Sequence, residues 1–166
     1  MKIIITKENL IKALQKIIGV VEKRQTMPIL SHILFRKKED GFEVVASDLE
    51  VQLSASLALE NGSDFTENIT IPGRKLFDIG KGLPDEAILE IDKIEEGKLQ
   101  IRSKKSKFIL SALDAATFPL MDTVDENNLD FTIKSSDFKQ IVNKTAFAMA
   151  QQDVRYYLNG LYFNIS

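Results

Sequence analysis

The sequence predicts an α+β fold in which antiparallel sheets carry helices on one face and the unit is repeated. Three observations lead there. Apolar and polar residues alternate through most of the first 113 residues, the signature of half-buried antiparallel strands. Three other stretches switch to helical spacing, each with one apolar stripe. The order strand, helix, three strands occurs twice between residues 1 and 113, starting at Met1 and again near Thr66.

The first helix follows an Ile-rich opening strand, with Leu10, Ala13, Leu14, Ile17, Ile18 and Val21 recurring at helical spacing. Strands follow, marked by Phe42, Val44 and Ala46 and then by the run from Val51 to Leu59, whose odd positions are all apolar. Pro72-Gly73 introduces a short helix carrying Leu76, Phe77 and Ile79, ended by Gly80 or Gly82 and Pro84. Leu89/Ile91, Leu99/Ile101 and Phe108/Leu110/Ala112 mark the next strands. Asp40-Gly41, Asn61-Gly62, Glu96-Gly97 and the polar run Ser103–Ser106 supply the turns. A third helix is expected after Ser135-Ser136-Asp137, which reads as an N-cap cluster, with Phe138, Ile141, Val142, Thr145, Ala146 and Met149 on its buried face.

A longer repeat joins the ends of the chain. Laying residue 1 on residue 129 pairs Ile3 with Phe131, Ile5 with Ile133, Leu10 with Phe138 and Leu14 with Val142. With no gap it then pairs Leu30 with Leu158, Ile33 with Leu161 and Phe35 with Phe163. Few residues are identical; the apolar register over strand, helix and strand carries the match. We therefore expect a complete first domain over 1–125 and the start of a second, cut short, over 126–166. The alternative is a small strand–helix–strand appendage docked on the main sheet. A helix whose apolar face lacks a sheet to cover it should be marginally stable or associate with another chain.

Composition narrows the function classes. There is no Cys and one His, which removes disulfides, thiolate metal sites and thiol nucleophiles and leaves little for a nucleophile–base pair. No P-loop, dinucleotide fingerprint or EF-hand loop occurs, so no cofactor or metal is expected. Asp48 and Glu50 lie two apart at a strand junction with no His beside them, a solvated turn rather than an acid–base pair. His32 reads as a structural residue of a strand. No apolar run approaches the roughly 18 residues that span a bilayer, and no membrane partner and a cytoplasmic location are expected.

The net charge of −2 speaks against a nucleic-acid binder until its distribution is counted. Residues 7–24 carry +3, residues 73–81 carry +2 and residues 135–150 carry +1, so the remainder carries −8. If the helices share one side, that side is basic and the other acidic. A basic helical face suits phosphate contact that positions a duplex without reading its bases. Each helix taken singly is equally an ordinary solvated face. Arg155-Tyr156-Tyr157, between the third helix and the next strand, could stack on nucleic acid or receive a peptide. Equally, one Tyr could pack into the core under the other.

Particular residues carry a resemblance. Arg24–Leu30, Ser47–Glu50, Ile71–Ile79, Gly82–Pro84, Phe118-Pro119 and Gln152–Gly160, in order along the whole chain, closely resemble the bacterial DNA polymerase III β subunits, the sliding-clamp family. The resemblance implies a DNA-clamp fold of three similar domains, dimerising head to tail into a ring around double-stranded DNA, with helices inside and sheets outside. It implies a non-catalytic processivity factor without a cofactor. Its partners would be duplex DNA, the polymerase III α subunit, the clamp loader and other clamp-binding peptides. Carried over by position, Arg24, Arg74, Gln152, Tyr156 and Tyr157 match DNA-contacting residues. Arg155, Tyr157 and Leu158 match the edge of the peptide pocket, most of which would lie in sequence not present here. Lys75, Lys105, Lys107, Phe108 and Leu110 match the first domain's dimer surface, on what should be an edge strand. A peptide-binding adaptor is the second reading, and an enzyme using Asp48 and Glu50 the third.

Overall fold

The structure, a computed structural model, describes residues 2–21, 27–38, 41–121 and 131–164, which belong to two units, Met1–Asp122 and Thr123–Ser166. The first opens with β1 (Lys2–Thr6), α1 (Lys7–Ile17), β2 (His32–Lys38), β3 (Gly41–Ser47) and β4 (Gln52–Leu57). The same order then recurs as β5 (Ile69–Pro72), α2 (Gly73–Gly82), β6 (Ile88–Glu95), β7 (Lys98–Ser103) and β8 (Ser106–Ser111). The doubled order expected from the alternation is present.

The two halves do not build separate sheets. One sheet runs β1-β6-β7-β8 and the other β4-β3-β2-β5, so each takes three strands from one half and the first strand of the other. All pairs are antiparallel, with Ile3 opposite Ile91 and Ile33 opposite Ile71. The chain after β4 lies beside β1: Lys2 and Asp64 exchange two backbone hydrogen bonds of 2.7 Å, and the Glu60 amide donates to the Ile4 carbonyl at 2.8 Å.

Alternation places Ile3 and Ile5 of β1, Ile33 and Phe35 of β2, and Leu89 and Ile91 of β6 in one core with Leu10, Leu14 and Ile17 of α1 and Leu76 of α2. All are fully enclosed, each contributing about 1.5–3 kcal/mol by leaving water. β2 is buried on both faces. Leu34 points the other way, into a smaller cluster with Ile29, Leu30, Val45 and Phe118, where short 3-10 turns at Pro28–Ser31 and Ala115–Thr117 lie over the sheet.

Gly73 shows how tightly α2 meets this core. A Cβ built there would sit 2.9 Å from Cγ2 of Ile33 and 3.1 and 3.2 Å from the methyls of Val21, both β-branched, buried residues with little room to turn. Gly73→Ala should therefore cost about 1–3 kcal/mol of overpacking, against about 1 kcal/mol gained in helix propensity. Urea unfolding is expected to show a lower midpoint, and an unchanged or higher one would show that the contact yields.

The second unit departs from expectation in three ways. α3 (Ser135–Thr145) forms, but its N-cap is Lys134 with no side-chain capping bond; the Ser136 hydroxyl turns to the Asp137 carboxylate instead. The stripe expected to be buried is open, with Phe138 43% and Ile141 46% exposed and no buried residue in the helix. The flanking strands do not form: residues 131–134 and 161–164 have no regular structure, and Tyr156–Asn159 is a 3-10 turn. A strand is defined by its neighbour, and apolar alternation alone cannot supply one. Phe138 and Phe163 stack instead, ring centres 5.8 Å apart.

Candidate nucleic-acid interface

α1 begins where the Thr6 hydroxyl accepts from the Asn9 amide at 3.3 Å, an N-cap that frees the next turns to follow the apolar stripe. Burying Leu10, Ala13, Leu14 and Ile17 leaves Lys12 and Lys16 exposed. In α2 the buried positions are Gly73, Leu76 and Gly80, leaving Lys75 and Lys81 exposed. Gly80 lets the helices lie against each other, since a Cβ there would come within 2.9 Å of Ile11 Cδ1. Both helices pack on the same core and against each other, and each leaves lysines in solvent. Lys81 also lies over the Phe77 ring, 5.2 Å from its centre.

Not every cation counted in the sequence is free. Lys7 is half-buried and donates to the Leu83 carbonyl and, at 2.9 Å, to Asp85, whose pKa its hydrogen bond and charge lower. Arg74 is also half-buried. Its guanidinium donates to the Val21 carbonyl at 2.8 Å, and among the described residues its Nε is buried without a partner. This tether holds the Arg74 charge at the carboxyl end of the α1 segment. Arg24 lies outside the described residues.

In the second unit, Gln152, Arg155, Tyr156 and Tyr157 are all exposed on one loop. The loop is closed locally. The Ala150 amide donates to the Leu158 carbonyl at 2.9 Å, and Asn159 both accepts from the Asp153 amide at 2.9 Å and donates to the Asp153 carbonyl at 3.0 Å. Arg155 grips the Asp153 carboxylate through Nε and a terminal nitrogen, both at 3.1 Å, which lowers the Asp153 pKa and raises that of Arg155. Gln152 sits at φ 59°, a left-handed conformation uncommon outside glycine. Neither Tyr enters a core: Tyr156 is 84% and Tyr157 66% exposed, packed edge to face. Leu158 is one-third exposed beside them. The reciprocal bonding of Asp153 and Asn159 escaped sequence reasoning; Asn-Gly at 159–160, a turn signal, was the available clue.

β8 is an edge strand. Lys105 and Lys107 are exposed, while Phe108 is half-buried against the core and Leu110 belongs to it. The residue that stands out on the opposite face is Ile109, 56% exposed, which the expected alternation left unremarked. Lys75 lies on α2, and its charge adds to the burial that lowers the His32 pKa.

Asp48 and Glu50 form no acid–base pair. The Asp48 carboxylate accepts from the amides of Glu50 and Val51 at 3.0 and 2.7 Å, closing a turn in which Leu49 has φ 76°. His32 is buried, its Nδ1 3.2 Å from the Thr70 hydroxyl. That hydroxyl donates to the Leu113 carbonyl at 2.7 Å and accepts from the Leu113 amide at 2.9 Å, so Nδ1 is the protonated ring nitrogen. Among the described residues no group of three or more metal-ligating side chains gathers, and no helix is long and apolar enough to cross a membrane.

The chain is similar to known proteins along its length. The family model for the DNA polymerase III beta subunit N-terminal domain matches residues 1–122, and that for its central domain matches residues 132–166. The beta sliding clamp of Pseudomonas aeruginosa is 43% identical over 164 residues, covering 98% of this chain, and that of Escherichia coli K12 is 37% identical over 163 residues. This chain spans less than half of each, 43% and 44%. Among solved structures, the Pseudomonas aeruginosa DNA polymerase III subunit beta aligns over 96% of this chain and 43% of its own, with a TM-score of 0.87 at 42% identity. A Caulobacter crescentus sliding clamp aligns over 98% and 43%, with a TM-score of 0.85 at 33% identity.

Proposed function

The chain belongs to the DNA polymerase III beta subunit family, and from that premise we propose that it is part of a DNA sliding clamp, a ring-forming processivity factor that encircles duplex DNA. Residues 1–125 are read as one whole clamp domain and residues 126–166 as the opening of a second. The supporting observation is the pair of adjacent helices presenting Lys12, Lys16 and Lys81 on an otherwise acidic chain. Lysine ammoniums on flexible stems neutralise phosphates without reading bases. With a ring supplying retention, each contact can stay weak and the protein can slide. The role has no catalytic step.

Within this reading Arg24, Arg74, Gln152, Tyr156 and Tyr157 contact DNA. The edge of β8, with Lys75, Lys105, Lys107, Phe108 and Leu110, forms the dimer surface of a homodimeric ring. The buried position of Leu110 supports a role for it through holding the strand, leaving the free backbone edge and the lysines to meet the partner. Arg155, Tyr157 and Leu158 form the edge of a pocket for peptides of the polymerase α subunit, the clamp loader and other partners, acting in the cytoplasm. Two exposed tyrosines on a locally stapled loop favour this adaptor role alongside DNA retention.

The test is duplex binding by fluorescence anisotropy at several salt concentrations. Affinity should be weak, indifferent to sequence and reduced by salt, and Arg24→Ala with Arg74→Ala should lower it and flatten the salt slope by about two. Binding that is unchanged between low and moderate salt would exclude phosphate contact.

A further inference from the structure

The sequence contains two Asn-Gly pairs, Asn61-Gly62 and Asn159-Gly160, and the structure treats them oppositely. Asn61 and Gly62 are both exposed, in a turn where Gly62 has φ 87°. Among the described residues neither the Asn61 carboxamide nor the Gly62 amide has a hydrogen-bond partner. Asn159 is half-buried, with its oxygen and nitrogen both held by the Asp153 backbone at 2.9 and 3.0 Å.

We propose that Asn61 is a site of spontaneous deamidation and backbone isomerisation, and that Asn159 is protected from it by its own hydrogen bonds. The reaction needs only water and base. The Gly62 backbone nitrogen loses its proton and attacks the Asn61 side-chain carbonyl carbon; a carbon–nitrogen bond forms and ammonia leaves, giving a cyclic succinimide. Water then opens the ring at either carbonyl. Opening at the side-chain carbonyl gives aspartate; opening at the main-chain carbonyl gives isoaspartate, in which the main chain runs through the former side chain. Glycine is the successor that least hinders this attack, because no Cβ crowds the nitrogen and its backbone turns freely. At Asn159 the same rotation would first break both bonds to Asp153.

The position gives the change a structural consequence. The turn at Asn61-Gly62 delivers Ser63 and Asp64 to β1: the Ser63 hydroxyl accepts from the Ile4 amide at 3.0 Å, and Asp64 pairs with Lys2. Isoaspartate inserts an extra backbone carbon just ahead of these contacts and adds a carboxylate. The paired segment falls out of step with Lys2 and Ile4, and the edge of β1 opens.

The experiment incubates the whole chain in mildly alkaline buffer, folded and in concentrated urea, and follows both peptides by mass and by isoaspartate content. In the folded chain Asn61 is expected to convert at least about fivefold faster than Asn159, the minimum that two retained hydrogen bonds should impose, and urea should abolish the difference. Hydrogen exchange at the Lys2 and Asp64 amides should quicken as conversion proceeds, and Gly62→Ala should slow it. Equal rates in the folded chain, or an inert Asn61, would overturn the proposal. A difference that persists in urea would also overturn it, since the cause would then lie in the neighbouring sequence and not in the fold.

Discussion

Phe35→Ala is expected to lower the stability of the first unit by about 3–5 kcal/mol. Phe35 is fully enclosed on β2, the strand that lies between β3 and β5, opposite Val44 on one side and Ile69 on the other. Truncation removes the ring's burial and leaves a cavity that two hydrogen-bonded neighbours on a central strand cannot collapse to fill. Domains of this size are stable by only about 5–15 kcal/mol, so the loss is a large fraction of the total. Urea unfolding followed by circular dichroism measures it through the midpoint at constant slope. A loss below about 1 kcal/mol would mean that the core relaxes around the site.

The second large effect is on pH. Burial and the nearby Lys75 charge lower the His32 pKa from 6.5 to about 4, and the contact with Thr70 offsets only part of this. The folded chain therefore keeps His32 neutral where the unfolded chain protonates it. Above about pH 6.5 neither state binds the proton and the stabilisation is complete. As pH falls from 6.5 towards 4 the unfolded state takes up a proton that the folded state refuses, and stability drops. Below about 4 this group has no further influence. The whole loss is on the order of 3 kcal/mol or somewhat less. His32→Gln retains a hydrogen-bonding side chain without the titration, so its stability should fall less steeply across that window. Parallel pH profiles for the two proteins would show that His32 is not held neutral.

What was legible in the sequence was local. Alternation and turn residues marked the strands and both helices of the first unit, because side-chain period reports directly on which face is buried. The charge of α1 and α2 was legible for the same reason: their stripes left lysines outside. Contacts between distant residues were not. Lys7 meets Asp85, Arg74 meets the Val21 carbonyl and Thr70 bridges to Leu113, and no period in the chain encodes such pairings. β2 broke the rule of alternation because both its faces are covered. The region after residue 130 shows the opposite failure. Its apolar register was read well enough to locate α3, yet register without a neighbouring strand builds no sheet.

The exchange of first strands between the two halves has a kinetic consequence. β1 pairs with β6 across some ninety residues, Lys2 standing opposite Asp92, so the edge that β1 offers to β6 stays open until that strand exists. Contacts this far apart in sequence slow folding, because the loop must close before the pairing stabilises it. During synthesis at roughly 5–20 residues per second, that Ile-rich edge waits about 5–18 seconds unpaired. An Ile-rich edge left open for that long is where a nascent chain would pair with the wrong neighbour or recruit a chaperone.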